Sequence, residues 1–383
     1  MGKIAYFGVI TAMLAMASCV NDGDETIVLE DGKTLIAGIP SDDDATEAPS
    51  IDKNTTNIPN INYTLEMEGN DAIMKIDMTG VQEYGSSGWM HLSGTNSADQ
   101  NLWVDVDGTP KGVLVYNNGE NETSSQIVAD LVFLVDNSGS MSEEADAIAR
   151  DIVSWSQKLQ QSNLDIRFGC VGYNGDISGA LNMTNASELG SYLNRSGYSG
   201  TSRTVGFAGT DVSELAASAS SMTRISDECG GKALRYADRN MKFRTGANRI
   251  YVNFTDEPNQ PNRVNDYSTE SFKDLSSWNV MQGTVHTVYS ADTTFAESVG
   301  TKEKPWRISW YTGGTFLRAD RSFTGVTLES LPVTGAMQNS YVIRFTNIEE
   351  YLDGKPHNVT ITIRSADGIT KAVKTFNIVF GTK

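Results

Sequence analysis

A run of five consecutive apolar residues, 131–135, ends abruptly at Asp136, and Ser138 and Ser140 follow at alternate positions. A continuous apolar run of this length is typical of a strand buried on both faces, as in parallel sheets. From Ala145 onwards the apolar residues recur at helical spacing. The sequence therefore predicts an α/β fold in which the Asp-x-Ser-x-Ser segment joins the carboxyl end of a central strand to a helix, where open parallel sheets place their binding sites.

The residue types in this loop favour a divalent cation as the ligand. The carboxylate of Asp136 and the hydroxyls of Ser138 and Ser140 are hard oxygen donors, which suit Mg²⁺ best and also suit Mn²⁺ and Ca²⁺. Because the two serines are neutral, a bound cation would keep much of its positive charge. An open coordination position could then accept a carboxylate from another protein.

These residues resemble the metal-ion-dependent adhesion site of von Willebrand factor A (VWA) domains, including the inserted domains of integrins. In that family the first loop supplies three ligands, a second loop supplies Thr or Glu, and a third loop supplies Asp. The strand-like segment 248–254 followed by Thr255 and Asp256 matches the third loop, so the resemblance implies Asp256 as a ligand. The resemblance covers residues 128–338 and implies a doubly wound, mostly parallel sheet flanked by helices. Residues 309–316 resemble the family's late helix, Gly-Gly turn and final strand.

The second loop has two candidates. Glu228, followed by Cys229 and a Gly-Gly pair, resembles the integrin beta-subunit version, in which a glutamate takes the place of the threonine. Thr210 looks like the usual threonine loop, although its ordinary interpretation is the N-cap of a helix. We favour Glu228 and keep Thr210 as the alternative.

An acidic pair, Glu143 and Glu144, lies just after Ser140. In the integrin beta-like pattern this pair binds a second, adjacent cation. The structural alternative is a capping box between Ser140 and Glu143, with both carboxylates complementing a helix N-terminus. We favour the structural alternative.

The amino terminus indicates export. Residues 1–19 have one basic residue, an apolar stretch and then small residues, the layout of a secretory signal peptide. Their end resembles the lipobox of bacterial lipoproteins, which implies that Cys19 is lipidated. The polar, acidic residues 20–58 predict a flexible tether. We expect a lipid-anchored protein of the bacterial outer membrane that faces the cell exterior, with the periplasmic face as the alternative, and that touches the membrane only through its lipid.

The segments on either side of the VWA-like region alternate apolar and polar residues as strands do. Residues 59–127 contain turn pairs such as Asp107-Gly108, and residues 339–383 continue the same alternation. Neither segment alone supplies enough strands for a sandwich. We therefore predict one antiparallel β-sandwich that the α/β domain interrupts, with two small β modules as the alternative.

The net charge limits the kinds of partner that the chain can bind, and the cysteine count limits the disulfides that it can form. The net charge of −18 disfavours nucleic acid, since phosphate binding needs clustered Lys and Arg. With Cys19 assigned to lipid, Cys170 and Cys229 remain, and two thiols in an exported protein allow a disulfide. The alternative is that both are buried, small apolar side chains.

Catalysis is disfavoured. The chain contains no H-E-x-x-H, G-x-S-x-G or G-x-x-x-x-G-K-[ST] motif, and His91, His286 and His357 occupy separate segments. We predict a cation-dependent adhesin or receptor that binds a protein presenting Asp or Glu. The alternative is a structural or assembly subunit of a surface fibre or envelope complex with the VWA domain as scaffold. A purely structural metal is a third hypothesis.

Overall fold

A computed structural model describes most of the chain. The described residues are 27–28, 34–35, 38–68, 71–118, 128–142, 144–160, 164–193, 213–274, 276–290, 303–320 and 331–381. The predictions for the signal peptide, Cys19, Glu143 and Thr210 lie outside these residues. The chain divides into two compact units, Met1–Gly38 and Ile39–Lys383.

The first unit contributes one antiparallel strand pair to the described residues, β1 (Ile27–Val28) with β2 (Thr34–Leu35). The strands of the second unit that precede the α/β domain are β3 (Ile61–Glu68), β4 (Asp71–Met78), β5 (Leu102–Val106), β6 (Thr109–Lys111) and β7 (Leu114–Asn117). Those that follow it are β14 (Tyr341–Phe345), β15 (Pro356–Arg364) and β16 (Lys371–Val379).

These flanking strands form two four-stranded antiparallel sheets, in the orders β3-β4-β14-β7 and β16-β15-β5-β6. Each sheet pairs a strand from before the α/β domain with one from after it. Ile76 of β4 lies opposite Ile343 of β14, and Val104 of β5 lies opposite Ile361 of β15. All four side chains belong to one buried cluster that both sheets share. The predicted sandwich built from both flanking segments is therefore confirmed.

The α/β domain contains a six-stranded sheet and helices on both faces. The strands are β8 (Val128–Asp136), β9 (Asp165–Tyr173), β10 (Ile177–Thr184), β11 (Asn248–Thr255), β12 (Thr284–Tyr289) and β13 (Phe316–Arg318). The helices are α1 (Glu144–Gln160), α2 (Ala186–Tyr192), α3 (Ser213–Ser221), α4 (Gly230–Asn240), α5 (Trp306–Thr312) and α6 (Pro332–Gln338).

The strand order is β10-β9-β8-β11-β12-β13, and only β10 runs antiparallel to its neighbour. The predicted doubly wound, mostly parallel sheet flanked by helices is confirmed. Because the chain first builds outward from β8 on one side and then from β11 on the other, the order of the strands reverses between β8 and β11. In open sheets ligands bind at the carboxyl ends of the strands beside such a reversal.

Strand β8 is buried on both faces, as its apolar run predicts. Phe133 and Val135 pack in the cluster that includes Trp155 of α1, whereas Val132 and Leu134 pack in the cluster on the opposite face with α3 and α4. The Phe133 and Trp155 rings meet edge to face, with centroids 5.7 Å apart. The large side chains buried on both faces hold β8 in its position in the sheet. This position determines where the carboxyl end of the strand lies.

The predicted flexible tether, residues 20–58, is wrong for residues 39–58, which pack on the sandwich. Ile58 is only 2% exposed. Asp42 accepts an ion-paired hydrogen bond of 3.1 Å from Lys111, whose side chain is itself buried. The polar composition led to a wrong prediction because the polar side chains of this segment form hydrogen bonds with the sandwich backbone and with the buried Lys111.

The possible disulfide between Cys170 and Cys229 is not formed, because both are buried free thiols, which confirms the alternative of two buried, small apolar side chains. Cys170 lies in the core between the sheet and α1, and Cys229 lies at the start of α4 in a separate cluster with Ile225 and Tyr267. Burial raises the pKa of both thiols, that of Cys229 to about 12. Within the described part of the chain, no helix has the length and apolar character that a membrane span needs.

One end of the sandwich carries a histidine between two carboxylates. Nδ1 of His357 lies 2.7 Å from Asp107 Oδ2, and Nε2 lies 3.0 Å from Asp353 Oδ1. The hydrogen bond with Asp107 raises the pKa of His357, partial burial opposes the shift, and Asp353 adds to it. Because the pKa of His357 is raised in the folded state, its protonation stabilises the fold fully at pH values below the unfolded-state pKa. This stabilisation is lost as the pH rises through the folded-state pKa.

We therefore predict that His357→Gln lowers the melting temperature more at about pH 6 than at about pH 8.5, a range that spans the ordinary histidine pKa. Differential scanning fluorimetry at both pH values measures the difference. His91→Gln, at an exposed histidine of the same region, is the control for loss of an imidazole. An equal loss at the two pH values would contradict a stabilising charge on His357.

Candidate metal centre

The site is positioned by the pairing of β8 and β11. The two strands run parallel, and Val135 lies opposite Phe254 at the end of their register. Asp136 and Asp256, which come one and two residues later, therefore emerge at the same edge of the sheet. This edge is at the reversal of strand order, so the loop that follows β8 and the loop that follows β11 begin side by side.

Four of the predicted ligands are joined by hydrogen bonds. The backbone N–H of Ser138 donates to Asp136 Oδ1 at 3.0 Å, an Asx turn that folds the loop back over the strand end. The hydroxyls of Ser138 and Ser140 are 2.9 Å apart, and the Ser140 hydroxyl donates to Asp256 Oδ1 at 3.0 Å. A continuous row of side-chain oxygens thus crosses from one strand end to the other.

Three members of the row are buried and one is exposed. Asp136, Ser138 and Asp256 are 1%, 5% and 2% exposed, whereas Ser140 is exposed. The pKa of Asp136 is raised to about 7, chiefly by burial and to a smaller extent by the nearby charge of Asp256, against the opposing effect of hydrogen bonds from Thr255 and Ser138. Two buried carboxylates that face one another cannot both ionise cheaply. A cation between them would relieve that cost, so the donor set fits a hard divalent metal.

The structure adds a residue to the site that the sequence motifs did not single out. The Thr255 hydroxyl donates to Asp136 Oδ2 at 2.8 Å and accepts from the backbone N–H of Glu257 at 3.1 Å. The Thr255 hydroxyl therefore holds the Asp136 carboxylate beside the loop that follows β11. The sequence signal was present, since Thr255 directly precedes Asp256 in the matched motif.

Glu144, one of the acidic pair, is the first residue of α1 and is fully buried. Its Oε1 accepts a hydrogen bond of 3.1 Å from the Ser290 hydroxyl, and the Ser290 backbone N–H donates to the Thr255 carbonyl at 3.1 Å. Glu144 thus connects the start of α1 to the residue that follows β12 and, through it, to the end of β11. The sequence did not predict the complete burial of Glu144, since the first turn of a helix is ordinarily exposed to solvent.

Glu228 lies beside the site but is outside the hydrogen-bonded row of oxygens. Its carboxylate accepts a long hydrogen bond of 3.4 Å from the Gln260 side chain, and its carbonyl accepts from the Gln260 backbone N–H at 2.9 Å. These contacts attach the Glu228 loop to the loop that contains Asp256. Within the described ranges, no group of three or more His, Cys, Asp and Glu side chains lies together. The donors gathered here are two carboxylates and two hydroxyls.

The glycines after Cys229 are explained by packing. A Cβ on Gly230 would stand 2.7 Å from the Asn253 side chain of β11, and one on Gly231 would stand 2.2 Å from the Tyr267 carbonyl. The absence of side chains lets the start of α4 approach β11 closely. The segment after Glu228 therefore has the small residues that its position against the sheet requires.

The comparisons with known proteins agree with this fold. The family description "von Willebrand factor type A domain" matches residues 130–276. No curated protein sequence matches the chain. On this family match, residues 130–276 form a VWA domain.

Several solved structures are similar to the chain. The conserved hypothetical protein BatB from Bacteroides thetaiotaomicron is 14% identical over 55% of this chain and 100% of that one, with a TM-score of 0.34. Proximal thread matrix protein 1 from the mussel byssus is 10% identical over 60% and 49%, with a TM-score of 0.35. The open conformation of the pilus adhesin SpaC from Lactobacillus rhamnosus GG is 11% identical over 83% and 55%, with a TM-score of 0.34. The chain spans about half the length of the last two.

We predict that Thr255→Val destabilises the metal-free protein by about 1–3 kcal/mol at about pH 8, because a buried carboxylate loses its donor. The shift in the urea midpoint, in buffer that contains EDTA, measures the loss. Thr362→Val is the matched control, since Thr362 is a buried strand threonine of the sandwich. An equal loss for the two variants would show that Thr255 does not brace Asp136.

Proposed function

We propose that this chain is a surface-anchored protein-binding lipoprotein, adhesin-like or receptor-like, whose binding depends on a divalent cation at the VWA domain. The observation that carries the proposal is the row of oxygens from Asp136 through Ser138 and Ser140 to Asp256, which spans the reversal point of the sheet. Such a row has the donor chemistry of a Mg²⁺ site, with Mn²⁺ and Ca²⁺ as alternatives. We propose binding rather than catalysis as its role.

Asp136, Ser138, Ser140 and Asp256 would hold the cation. When bound, the cation supplies a positive charge with an open coordination position that accepts a carboxylate of a partner protein. The residues of this chain orient and expose it. The Asx turn at Ser138 aims the first loop at Asp256, Thr255 holds the second oxygen of Asp136, and the exposed Ser140 leaves one side of the row accessible.

The partner we propose is a protein that presents Asp or Glu. The acidic net charge of −18 makes a nucleic-acid partner unfavourable, since both would be anionic. Contact with the membrane would occur only through a lipid on Cys19, which becomes the first residue once the segment before it is removed, and the domain would then lie at the bacterial outer membrane facing outward.

Capture experiments separate adhesion from assembly. The immobilised full-length chain is exposed to extracts of host matrix, of neighbouring cells and of the producing cell, with Mg²⁺ or with EDTA. Adhesion predicts chelator-sensitive capture of foreign protein. Capture of the same chain or of its genetic neighbours would instead support the alternative, an assembly subunit of a fibre or envelope complex. Capture that is equal in EDTA would contradict a cation-dependent role.

The metal-binding claim predicts a specific effect of Asp136→Asn. In metal-free buffer at about pH 8, above the pKa of about 7, the variant should melt at the same or a higher temperature, because a buried charge is removed. Saturating Mg²⁺ or Mn²⁺ should raise the melting temperature of the unmodified protein by an amount equivalent to about 2.7 kcal/mol at 100 times the Kd, and should not affect the variant.

Thermal shift assays with each cation and with EDTA measure both effects. Asp99→Asn, at an exposed aspartate of the sandwich region, makes the same charge change and should keep the full shift. Loss of the metal-induced shift in Asp136→Asn, together with intact partner binding, would support a purely structural metal instead.

We propose Glu228 as the residue that completes the shell, in the integrin beta-like pattern, with Thr210 as the alternative. Glu228→Gln should weaken Mn²⁺ binding about tenfold or more, equivalent to about 1.4 kcal/mol or more, while Thr210→Val should leave it nearly unchanged. Isothermal titration calorimetry compares the two variants. The reverse result would assign the position to Thr210.

A further inference from the structure

A cavity lies between the sandwich and the α/β domain and shares no lining residue with the cation site. Its volume is about 420 Å³. The sandwich side contributes residues such as Thr79, Gln82 and Tyr84 to the lining, and the α/β domain contributes His286 of β12, Ala336 of α6 and residues between Trp310 and Phe316. This volume is within the range of about 300–1,000 Å³ that small-molecule sites occupy.

Two exposed aromatic rings border this cavity. Tyr84 is 59% exposed and Trp310 is 52% exposed, and they are the aromatic members of the exposed large hydrophobic residues in the described part of the chain. Trp89 and Phe316 also line it. Apolar ring surface exposed to water is unfavourable, so two exposed rings at the border of one cavity indicate a ligand with apolar faces.

The cavity also has polar groups whose hydrogen-bonding capacity is unused. Thr79 Oγ1 and His286 Nε2 are buried and find no partner among the described residues, although both residues are only 4% exposed. His286 Nδ1 lies 2.7 Å from the Thr315 hydroxyl oxygen and 3.2 Å from the Thr315 backbone nitrogen, so Nε2 is the ring nitrogen without a partner among the described residues. Burial lowers the pKa of His286 to about 3, and the ring is therefore neutral. Buried polar atoms without partners call for a bound group that satisfies them.

The charge of the lining excludes anionic ligands. Glu83 is the only residue with a formal charge among the described lining residues, and its carboxylate already accepts from the Ser86 hydroxyl at 3.0 Å. A phosphate, sulfate or carboxylate would meet no cation here and would be repelled by Glu83. The side-chain amide of Gln82 is in the lining and can both donate and accept.

We propose that this cavity binds a neutral carbohydrate of one or two sugar units. The C–H faces of a sugar ring would stack on Trp310 and Tyr84. Its hydroxyls would bond to the amide of Gln82 and to the buried groups of Thr79 and His286. The chain would then carry two separate recognition sites, one for a carboxylate at the cation and one for a neutral sugar at the domain junction.

The test uses the full chain with methyl glycosides of glucose, galactose, mannose and N-acetylglucosamine, and an array of neutral glycans. Saturation-transfer NMR and tryptophan fluorescence titration report binding. We expect at least one neutral glycan to bind, and Trp310→Ala and Tyr84→Ala each to weaken it about tenfold, as loss of a stacking ring predicts. Both residues are exposed, so the substitutions should leave the fold intact. Met67→Ala, at another exposed apolar residue, should bind normally.

Two further experiments distinguish a failure of this proposal from a failure of the cation proposal. Binding should persist in EDTA and in Asp136→Asn, so failure of the cation proposal leaves this one intact, and the reverse also holds. A proline-rich peptide on the same surface is the competing outcome and would overturn the proposal if it bound in place of every glycan. Absence of any glycan signal, or equal binding in the Trp310→Ala/Tyr84→Ala double variant, would also overturn it.

Discussion

Two parallel strands, β8 and β11, end side by side where the strand order of the sheet reverses, and the candidate metal centre depends on that pairing. Asp136 and Asp256 are far apart in sequence, yet the register leaves both carboxylates at one edge. The apolar side chains of β8 pack on both faces of the sheet, which holds the strand end in place. Buried carboxylates so close together are unfavourable without a partner charge, and the hydroxyls of Ser138 and Thr255 only partly offset that cost.

The α/β domain is attached to the sandwich through the two strands that precede and follow it. The chain leaves the sandwich after β7 and returns in β14, and these two strands pair directly, with Asn117 opposite Tyr341. The Asn118 backbone N–H also donates to the Ser340 carbonyl at 2.9 Å, so entry and exit are joined. The entry and the exit of the α/β domain are therefore held together at one sheet of the sandwich.

The fold was predictable from sequence where local patterns reflect burial. The apolar run before Asp136 predicted a strand buried on both faces, and the alternation in the flanking segments predicted a shared sandwich. The tether prediction failed, and the choice between a disulfide and two free thiols stayed open, because both depend on long-range contacts that no local pattern contains. The acidic segment that includes Asp42 packs through a partner, Lys111, that lies elsewhere in the chain. Cys170 and Cys229 pack in different clusters, a separation that a cysteine count cannot show.

The site was predictable only as far as its motifs extend. The motifs identified Asp136 and Asp256, and the structure joins them by hydrogen bonds through Ser138 and Ser140. Whether a cation sits on this row is tested most directly by anomalous diffraction from crystals soaked in Mn²⁺. A cation site here predicts one strong peak at coordination distance, about 2.1–2.2 Å, from oxygens of Asp136, Ser138 and Ser140, with Asp256 bound directly or through water. A peak elsewhere, or none in this row at saturating Mn²⁺, would contradict it.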